Sequence, residues 1–295
     1  AMLKANKVLI GKKIVIAGTG PFLLPVSLNF LKAGAEVRTF DSTPLWRWIF
    51  NLHGLILHPS KIKEARFYRK HVSVERGSLT SYREGFANID GVEIACDALA
   101  VGWGFTTDVT LASILGAKLT TDLDGSVIVK VDAEQMTSVE NLYAAGEITG
   151  VGGADLAITE GEIAGRGGST PSLTWNRFRG RLFAKGLQRV YKVPREWLSQ
   201  IDDATEICRC EHVSAGEIRK SMMDLGALDS KGVKLFSRAG MGLCQGRTCG
   251  RNVAEYVASI RGERPTSDEL ISGVRRPVAQ PISLGELGDG LKKGF

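Results

Sequence analysis

Along the first forty residues the hydrophobic positions fall into short blocks rather than an even spread. Lys12-Lys13 leads into Ile14-Val15-Ile16-Ala17, a β-branched run that passes directly into Gly18-Thr19-Gly20 and then a helix-length apolar segment. This order predicts strand, glycine turn and helix. After the Lys32-Ala33-Gly34 break, Ala35 to Phe40 predicts a second strand that ends at Asp41, 21 residues past Gly20. Two strands around a helix make half of a parallel βαβ unit.

Further on, the pattern is less regular. Trp46, Trp48, Phe50 and Leu52 alternate with other residues, and a charged stretch from Lys61 to Arg83 has no clear period. Ile94 to Val101 predicts one buried strand and Ser126 to Val131 a shorter one. Asn141-Leu142-Tyr143-Ala144-Ala145-Gly146-Glu147 repeats the strand-into-glycine pattern, with a helix-forming stretch from Ala154 to Ala164. Thr174 to Trp197 carries seven basic residues against one acid, Glu196. It predicts a basic amphipathic connecting helix ending near Pro194, whose charges suit a solvated face or a partner-subunit surface better than nucleic acid. A compact region runs from Cys208 to about Gly262, followed from Arg275 by a tail rich in glycine and proline.

Length and composition narrow the class. At ~150 residues per domain, 295 residues suggest about two domains. With 43% hydrophobic and 24% charged residues the chain is not a disordered one. The net charge of +6 contains no block of five basic residues, so no nucleic-acid partner is expected. The longest charge-free run, Ile14 to Leu31, holds Gly18, Gly20, Pro21 and Pro25, which argues against a membrane span. No export signal precedes it, and a cytoplasmic protein is expected.

In a reducing compartment five cysteines point to metal or redox chemistry rather than disulfides. Cys208-Arg209-Cys210 and Cys244-Gln245-Gly246-Arg247-Thr248-Cys249 form two local pairs, which suits a [2Fe-2S] centre with two thiolates on each iron. Structural zinc more often takes Cys-x-x-Cys pairs, so the spacing favours iron and sulfide over zinc. Gly240, Gly242, Gly246 and Gly250 crowd the second pair and leave N–H groups open to the sulfurs. Arg209, Arg238, Arg247 and Arg251 are available to offset the negative charge of four thiolates. Ser214 to Glu217 reads as a capping box opening a helix, and Cys96 as a core residue. The four histidines share no ligand spacing, and no hydrolytic triad is legible.

Gly18 and Gly20 offer the turn that brings a pyrophosphate to a helix N-terminus, although Leu23 stands where the usual fingerprint has its third small residue. Asp41 is placed to accept hydrogen bonds from an adenosine ribose, favouring NAD, ADP or ATP over NADP. Gly146, Glu147, Gly150, Gly152 and Gly153 form a second cluster, where small residues let backbone approach a flat ring or ribityl chain and Glu147 can bind a hydroxyl.

Ile16 to Val26, Leu142 to Gly165, Cys208-Arg209-Cys210-Glu211 and Ser237 to Gly250 together resemble the flavin-containing α-type subunits of opine and amino-acid dehydrogenases. Relatives in that family include octopine and nopaline oxidases, dye-linked proline and hydroxyproline dehydrogenases and hydrogen cyanide synthase. The last of these segments is similar to the [2Fe-2S] domain of bacterioferritin-associated ferredoxin.

The resemblance implies an α/β two-dinucleotide-binding, Rossmann-like FAD/NAD(P) fold followed by a small, mainly α-helical [2Fe-2S] domain. It divides the chain into a nucleotide-binding domain at 1–135, a returning segment of the FAD domain at 136–172, a basic linker helix at 173–202, the cluster domain at 203–272 and a tail at 273–295. It places Gly146, Glu147 and Gly153 beside FAD, an adenine nucleotide (NAD or ATP) at Gly18, Gly20 and Asp41, and the cluster on Cys208, Cys210, Cys244 and Cys249. Family members carry a separate glycine-rich FAD motif that would lie ahead of Ala1, so the N-terminal FAD half is expected to be missing and the FAD site incomplete. The implied partners are a β-type, FAD-dependent oxidase-like subunit that handles the amine or amino-acid substrate, and a small ferredoxin-like subunit. On this reading the chain is an electron-transfer subunit of an FAD-dependent amino-acid, opine or amine dehydrogenase. The alternatives are an NADH-dependent flavin/iron–sulfur reductase and a non-catalytic module holding a cluster and a nucleotide.

Overall fold

The computed structural model describes residues 2–275 together with Gly285 and Gly288. Most of the expected tail lies outside the described residues. The chain falls into two compact units that do not follow chain order: residues 2–105, 152–159 and 171–194 form one, and 106–151, 160–170 and 195–275 the other.

The first unit opens with a short helix, α1 (Met2–Asn6), and is built on a parallel sheet ordered β3-β2-β1-β7, from β1 (Lys13–Gly18), β2 (Glu36–Asp41), β3 (Val74–Arg76) and β7 (Ala98–Gly102). Ile14, Val15, Ile16 and Ala17 of β1 are all buried. A continuous apolar run is what a strand covered on both faces requires. On one face Ile14 and Ile16 meet Leu23, Val26 and Phe30 of α2 (Leu23–Lys32). The buried Ser27 hydroxyl donates to the Leu23 carbonyl at 2.7 Å and lies 2.7 Å from the Thr39 hydroxyl, which ties α2 to β2. On the other face Val15, Ala17 and Phe40 pack on Ala87, Ile89, Ile94 and Cys96. Those residues come from or adjoin an antiparallel sheet of β4 (Leu79–Arg83), β5 (Phe86–Ile89) and β6 (Val92–Ala95).

The single strand expected from Ile94 to Val101 is therefore two. The chain leaves the antiparallel sheet after Ala95 and enters the parallel one at Ala98. Cys96 and Asp97 make the change of partner, with the Asp97 carboxylate accepting the Lys12 and Lys13 N–H groups at 2.7 and 2.9 Å. The aperiodic stretch after Asp41 also gains structure: a 3₁₀ segment at Leu45–Asn51, α3 (Leu52–Ile56) and α4 (Pro59–His71). The basic helix, α7, spans Pro171–Val190 and packs on the 3₁₀ segment and α3 within this unit. Gly186 and Gly54 permit that approach, since a Cβ at Gly186 would collide with the buried Asn51 side chain and one at Gly54 would stand 3.2 Å from the Phe183 Cα.

In the second unit, α5 (Thr110–Ile114) and the hairpin of β8 (Leu119–Thr121) and β9 (Val127–Val129) share a core with two C-terminal helices, α11 (Gly250–Ile260) and α12 (Ser267–Val274). Ala254 and Leu270 bury against Val127 and Val129. The strand expected before Gly146 is absent: Tyr143 makes only an isolated bridge to Met136, and Gly146–Thr149 is a 3₁₀ turn. The helix expected after it, α6, spans Ala154–Arg166.

A second core gathers Cys208, Val213, Ile218, Val233, Val253 and Tyr256. Its elements are α8 (Trp197–Gln200), a short antiparallel pair of β10 (Glu206–Cys208) and β11 (Val213–Ser214), α9 (Ala215–Met223), α10 (Ser230–Ser237) and α11. The expected capping box is present: Ser214 Oγ accepts the Glu217 N–H while Glu217 accepts the Ser214 N–H. Among the described residues no helix is long and apolar enough to cross a membrane.

Candidate metal centre and nucleotide-binding turns

The two cysteine pairs, far apart in sequence, meet at one end of the helical core. Cys208 closes β10 and is buried, Cys210 follows in the exposed turn before β11, and Cys249 is buried at the N-terminus of α11. The Cys208 and Cys210 sulfurs are 3.9 Å apart and those of Cys210 and Cys244 3.7 Å. Cys249 is an electrostatic neighbour of the other three thiols, so the four cysteines gather at one place.

Around them the backbone is shaped to admit sulfur and little else. A Cβ at Gly242 would lie 2.5 Å from Cys210 Sγ. Gly240 and Gly246 both adopt positive φ, at +81° and +73°. The Gly240 N–H donates to Cys208 Sγ at 3.3 Å, and the Thr248 and Gly246 N–H groups donate to Cys244. Burial works against charge on Cys244, but these donors prevail and lower its thiol to about 7. Cys249 moves the other way, up to about 12, first through burial and then through the neighbouring thiols. Opposite shifts within one group are what several like charges sharing a site produce. A bound cation removes that conflict by stabilising all four thiolates together, so the donor set fits a thiolate-ligated metal group.

The nearby arginines are engaged differently from one another. Arg238, in the left-handed conformation at the end of α10, pairs with Glu211 at 2.8 Å. Arg247 donates to the Cys244 carbonyl at 3.2 Å. Arg251 turns to the hairpin, donating to Ser126 Oγ at 3.1 Å and to the Asp124 carbonyl. Arg209 is exposed.

At the carboxyl ends of β1 and β2, where open α/β sheets place their ligands, the two glycines have separate duties. Gly18 pairs with Gly102 across the sheet, and a Cβ there would collide with the Gly102 carbonyl. Gly20 has φ +113° and open space where a Cβ would stand. Asp41 accepts the Thr43 N–H at 2.8 Å, and its partial burial raises its carboxyl. Arg76, in register with Asp41 on β3, offsets part of that effect. Sequence reading missed Arg76, because nothing local marked β3 as the neighbour of β2.

Gly146 is buried with φ +81°, and its N–H donates to Glu160 Oε2 at 3.1 Å. Thr149 Oγ1 donates to the same oxygen at 2.9 Å. Glu160 is 0% exposed and anchors this turn, while Glu147 is exposed. The sequence did hold a signal for Glu160: it falls on the same helical face as Leu156 and Ile163, an acid in an apolar stripe. Gly153 has φ +89° with open space where a Cβ would stand.

Comparison with known proteins agrees with this arrangement. Residues 206–259 match the BFD-like [2Fe-2S] binding domain. Over 97% of its length the chain is 27% identical to an opine oxidase subunit of Rhizobium meliloti, covering 60% of that protein. It is 30% identical to hydrogen cyanide synthase subunit HcnB of Pseudomonas aeruginosa over 53% of this chain and 36% of that one. Among solved structures, the L-proline dehydrogenase of P. horikoshii superposes on 97% of this chain and 52% of its own with a TM-score of 0.64 at 17% identity, which establishes likeness of fold. The chain thus spans about 60% of the first of these relatives and less of the second. The expected fold class, α/β with a parallel sheet followed by a BFD-like domain, is the one found.

Proposed function

We propose that this chain is the electron-transfer part of a heteromeric, FAD-dependent dehydrogenase of amino acids, opines or related amines, with Cys208, Cys210, Cys244 and Cys249 as the ligands of a [2Fe-2S] cluster. The observation that carries this reading is the convergence of the Cys208, Cys210 and Cys244 sulfurs inside the BFD-like segment, with Cys249 beside them and Gly240 and Gly242 against the sulfurs. Such a cluster supplies one-electron chemistry at a potential set by its surroundings. The chain's own contribution is to hold the four thiolates, to direct the Gly240, Gly246 and Thr248 N–H groups at sulfur, and to keep Cys208 and Cys249 out of water.

In the same proposal Gly146, Glu147 and Gly153 face FAD, with Glu160 fixing the Gly146 turn. Gly18, Gly20 and Asp41 take an adenine nucleotide, NAD or ATP. In the same reading, substrate oxidation belongs to a β-type flavin subunit. The names of the relatives support this assignment, since two of them are subunits of larger oxidoreductases.

The test is anaerobic purification with iron, acid-labile sulfide and visible absorption measured on one sample. Two irons and two sulfides per chain, with absorbance that bleaches on dithionite, are expected. Stoichiometric zinc with a featureless spectrum would overturn the electron-transfer reading.

A further inference from the structure

The 3₁₀ segment and α3 have one buried side and one exposed apolar side. Asn51 and Gly54 are buried beneath α7, and Trp48 sets its ring edge-on to Tyr191 at 5.6 Å. These contacts consume one side. The other carries Trp46, Ile49 and Leu52, three apart as a 3₁₀ turn requires, and Ile56 four further on in α3, with Leu45 and Phe50 also exposed. All six are exposed, Leu45 to 66%, Ile49 to 61% and Ile56 to 76%. A set of large apolar side chains left exposed in this way marks an interaction surface. On α7, Trp175 and Phe178 are also exposed, their rings stacked at 5.7 Å.

Charge identifies what covers it. Residues 45–71 and 171–192 hold twelve Lys and Arg side chains and one acid, Glu64, against 38 basic and 32 acidic residues in the whole chain. The rest of the protein is therefore net acidic, and the positive charge is concentrated on the elements that bear the apolar side chains. Lys61 is neutralised by Glu64 and Asp155 at 3.2 and 3.0 Å. Lys63, Arg66, Arg69 and Lys70 of α4 are exposed, as are Lys185 and Arg189 of α7. Protein interfaces are depleted in lysine and balance their charges. Aromatic and aliphatic side chains fringed by Lys and Arg, with almost no acid, are instead the pattern of a segment lying in the plane of an anionic lipid surface.

We infer that the 3₁₀ segment, α3 and the exposed sides of α4 and α7 form a peripheral membrane-binding face, which inserts Leu45, Trp46, Ile49 and Ile56 among anionic lipid headgroups. The association is monotopic, in keeping with the absence of a spanning helix among the described residues. It does not depend on the cluster or on either nucleotide.

The test is sedimentation of the full chain with vesicles of phosphatidylcholine alone and with vesicles containing about 30% phosphatidylglycerol. Partitioning about tenfold stronger onto the anionic vesicles is expected, reduced severalfold but not abolished at ~0.5 M salt, where surface charges are screened. The Ile49→Ser/Ile56→Ser variant changes only exposed side chains, and should keep its circular dichroism spectrum while losing most of the vesicle binding. Equal weak binding to both vesicle types, or unchanged binding by that variant, would overturn the inference. So would a stoichiometric complex with an acidic polypeptide that protects Trp46 from quenching in the absence of lipid, because the face would then belong to a protein partner.

Discussion

Cys210 and Cys244, 34 positions apart in the chain, bring their sulfurs to 3.7 Å of each other. Cys210 belongs to the turn between β10 and β11 and Cys244 to the glycine-rich loop ahead of α11, so the approach depends on the helical core that holds both loops. Replacing Cys244 by serine removes one proposed ligand without altering that core. The expected outcome is loss of the visible iron–sulfur absorbance with retained helicity by circular dichroism, while Cys96→Ser, in the β-sheet core of the other unit, leaves the absorbance unchanged.

Gly242 is the narrowest part of the same wall. A methyl group there would stand 2.5 Å from Cys210 Sγ and 2.9 Å from Glu211 Oε1. Gly242→Ala should therefore displace the Cys210 turn at a cost of about 1–3 kcal/mol, the usual range for overpacking. Iron content per chain should fall well below that of Gly161→Ala, a control at a helical glycine with open space where a Cβ would stand. Equal iron in both proteins would mean that the loop is looser than its geometry indicates.

Much of this site was legible in sequence, for reasons that separate local from non-local information. Cys208-Arg209-Cys210, the Ser214–Glu217 capping box and the glycines around Cys244 and Cys249 are short-range patterns, and each is found where expected. The β1 run is equally local. What sequence reading missed depends on partners distant in the chain. Ile94 to Val101 is one apolar run, yet Ile94 pairs with Ala87 while Leu99 pairs with Val15, and no local signal distinguishes the two sheets. The charged face of α4 hid a helix whose apolar side is thin. Glu160 announced itself only as an acid in an apolar stripe, and its partners at Gly146 and Thr149 lie 14 and 11 residues away.

Glu160 gives a stability prediction. Its Oε2 accepts from Gly146 N–H and Thr149 Oγ1 in a fully buried setting. Glu160→Ala leaves the buried Gly146 N–H without this acceptor, while the Thr149 hydroxyl keeps the Gly146 carbonyl at 2.8 Å, and a loss of about 1–3 kcal/mol is expected in urea unfolding. Glu160→Gln keeps an acceptor oxygen and should recover part of that loss. If flavin binds against the Gly146 turn, the alanine variant also purifies with less FAD in the complete complex.

Acid should weaken the fold in a specific way. Asp97 is held below the usual carboxylate range by the Lys13 and Lys12 N–H groups. Asp108 is lowered by its hydrogen bonds with Thr110, and Glu217 by the Ser214 N–H and hydroxyl. A carboxyl whose folded pKa lies below its unfolded value stabilises the fold above the unfolded value, and that stabilisation is lost as pH falls through the folded one. The melting temperature should accordingly be level near neutrality and fall as the pH drops below about 4. Asp97→Asn should be less stable than the parent at pH 7 and approach it at low pH, where the parent has lost the same charge. A constant difference across the range would show that the Asp97 contribution is one of shape, not charge.

The capping box before α9 links stability to the proposed ligand loop. Ser214 Oγ accepts the Glu217 N–H, and Ser214 stands four residues beyond Cys210, so the cap fixes where the ligand turn ends and the helix begins. Ser214→Ala should cost about 1 kcal/mol, the usual value of an N-terminal cap. Because β11 and α9 share the buried core with Cys208 through Val213 and Ile218, the loss should appear in global unfolding and not only as fraying of one helix. Chemical denaturation followed at once by helicity and by cluster absorbance distinguishes the cases. Coincident curves displaced to lower denaturant are expected, whereas absorbance lost ahead of helicity would mean that the cysteine turn opens independently of the core beneath it.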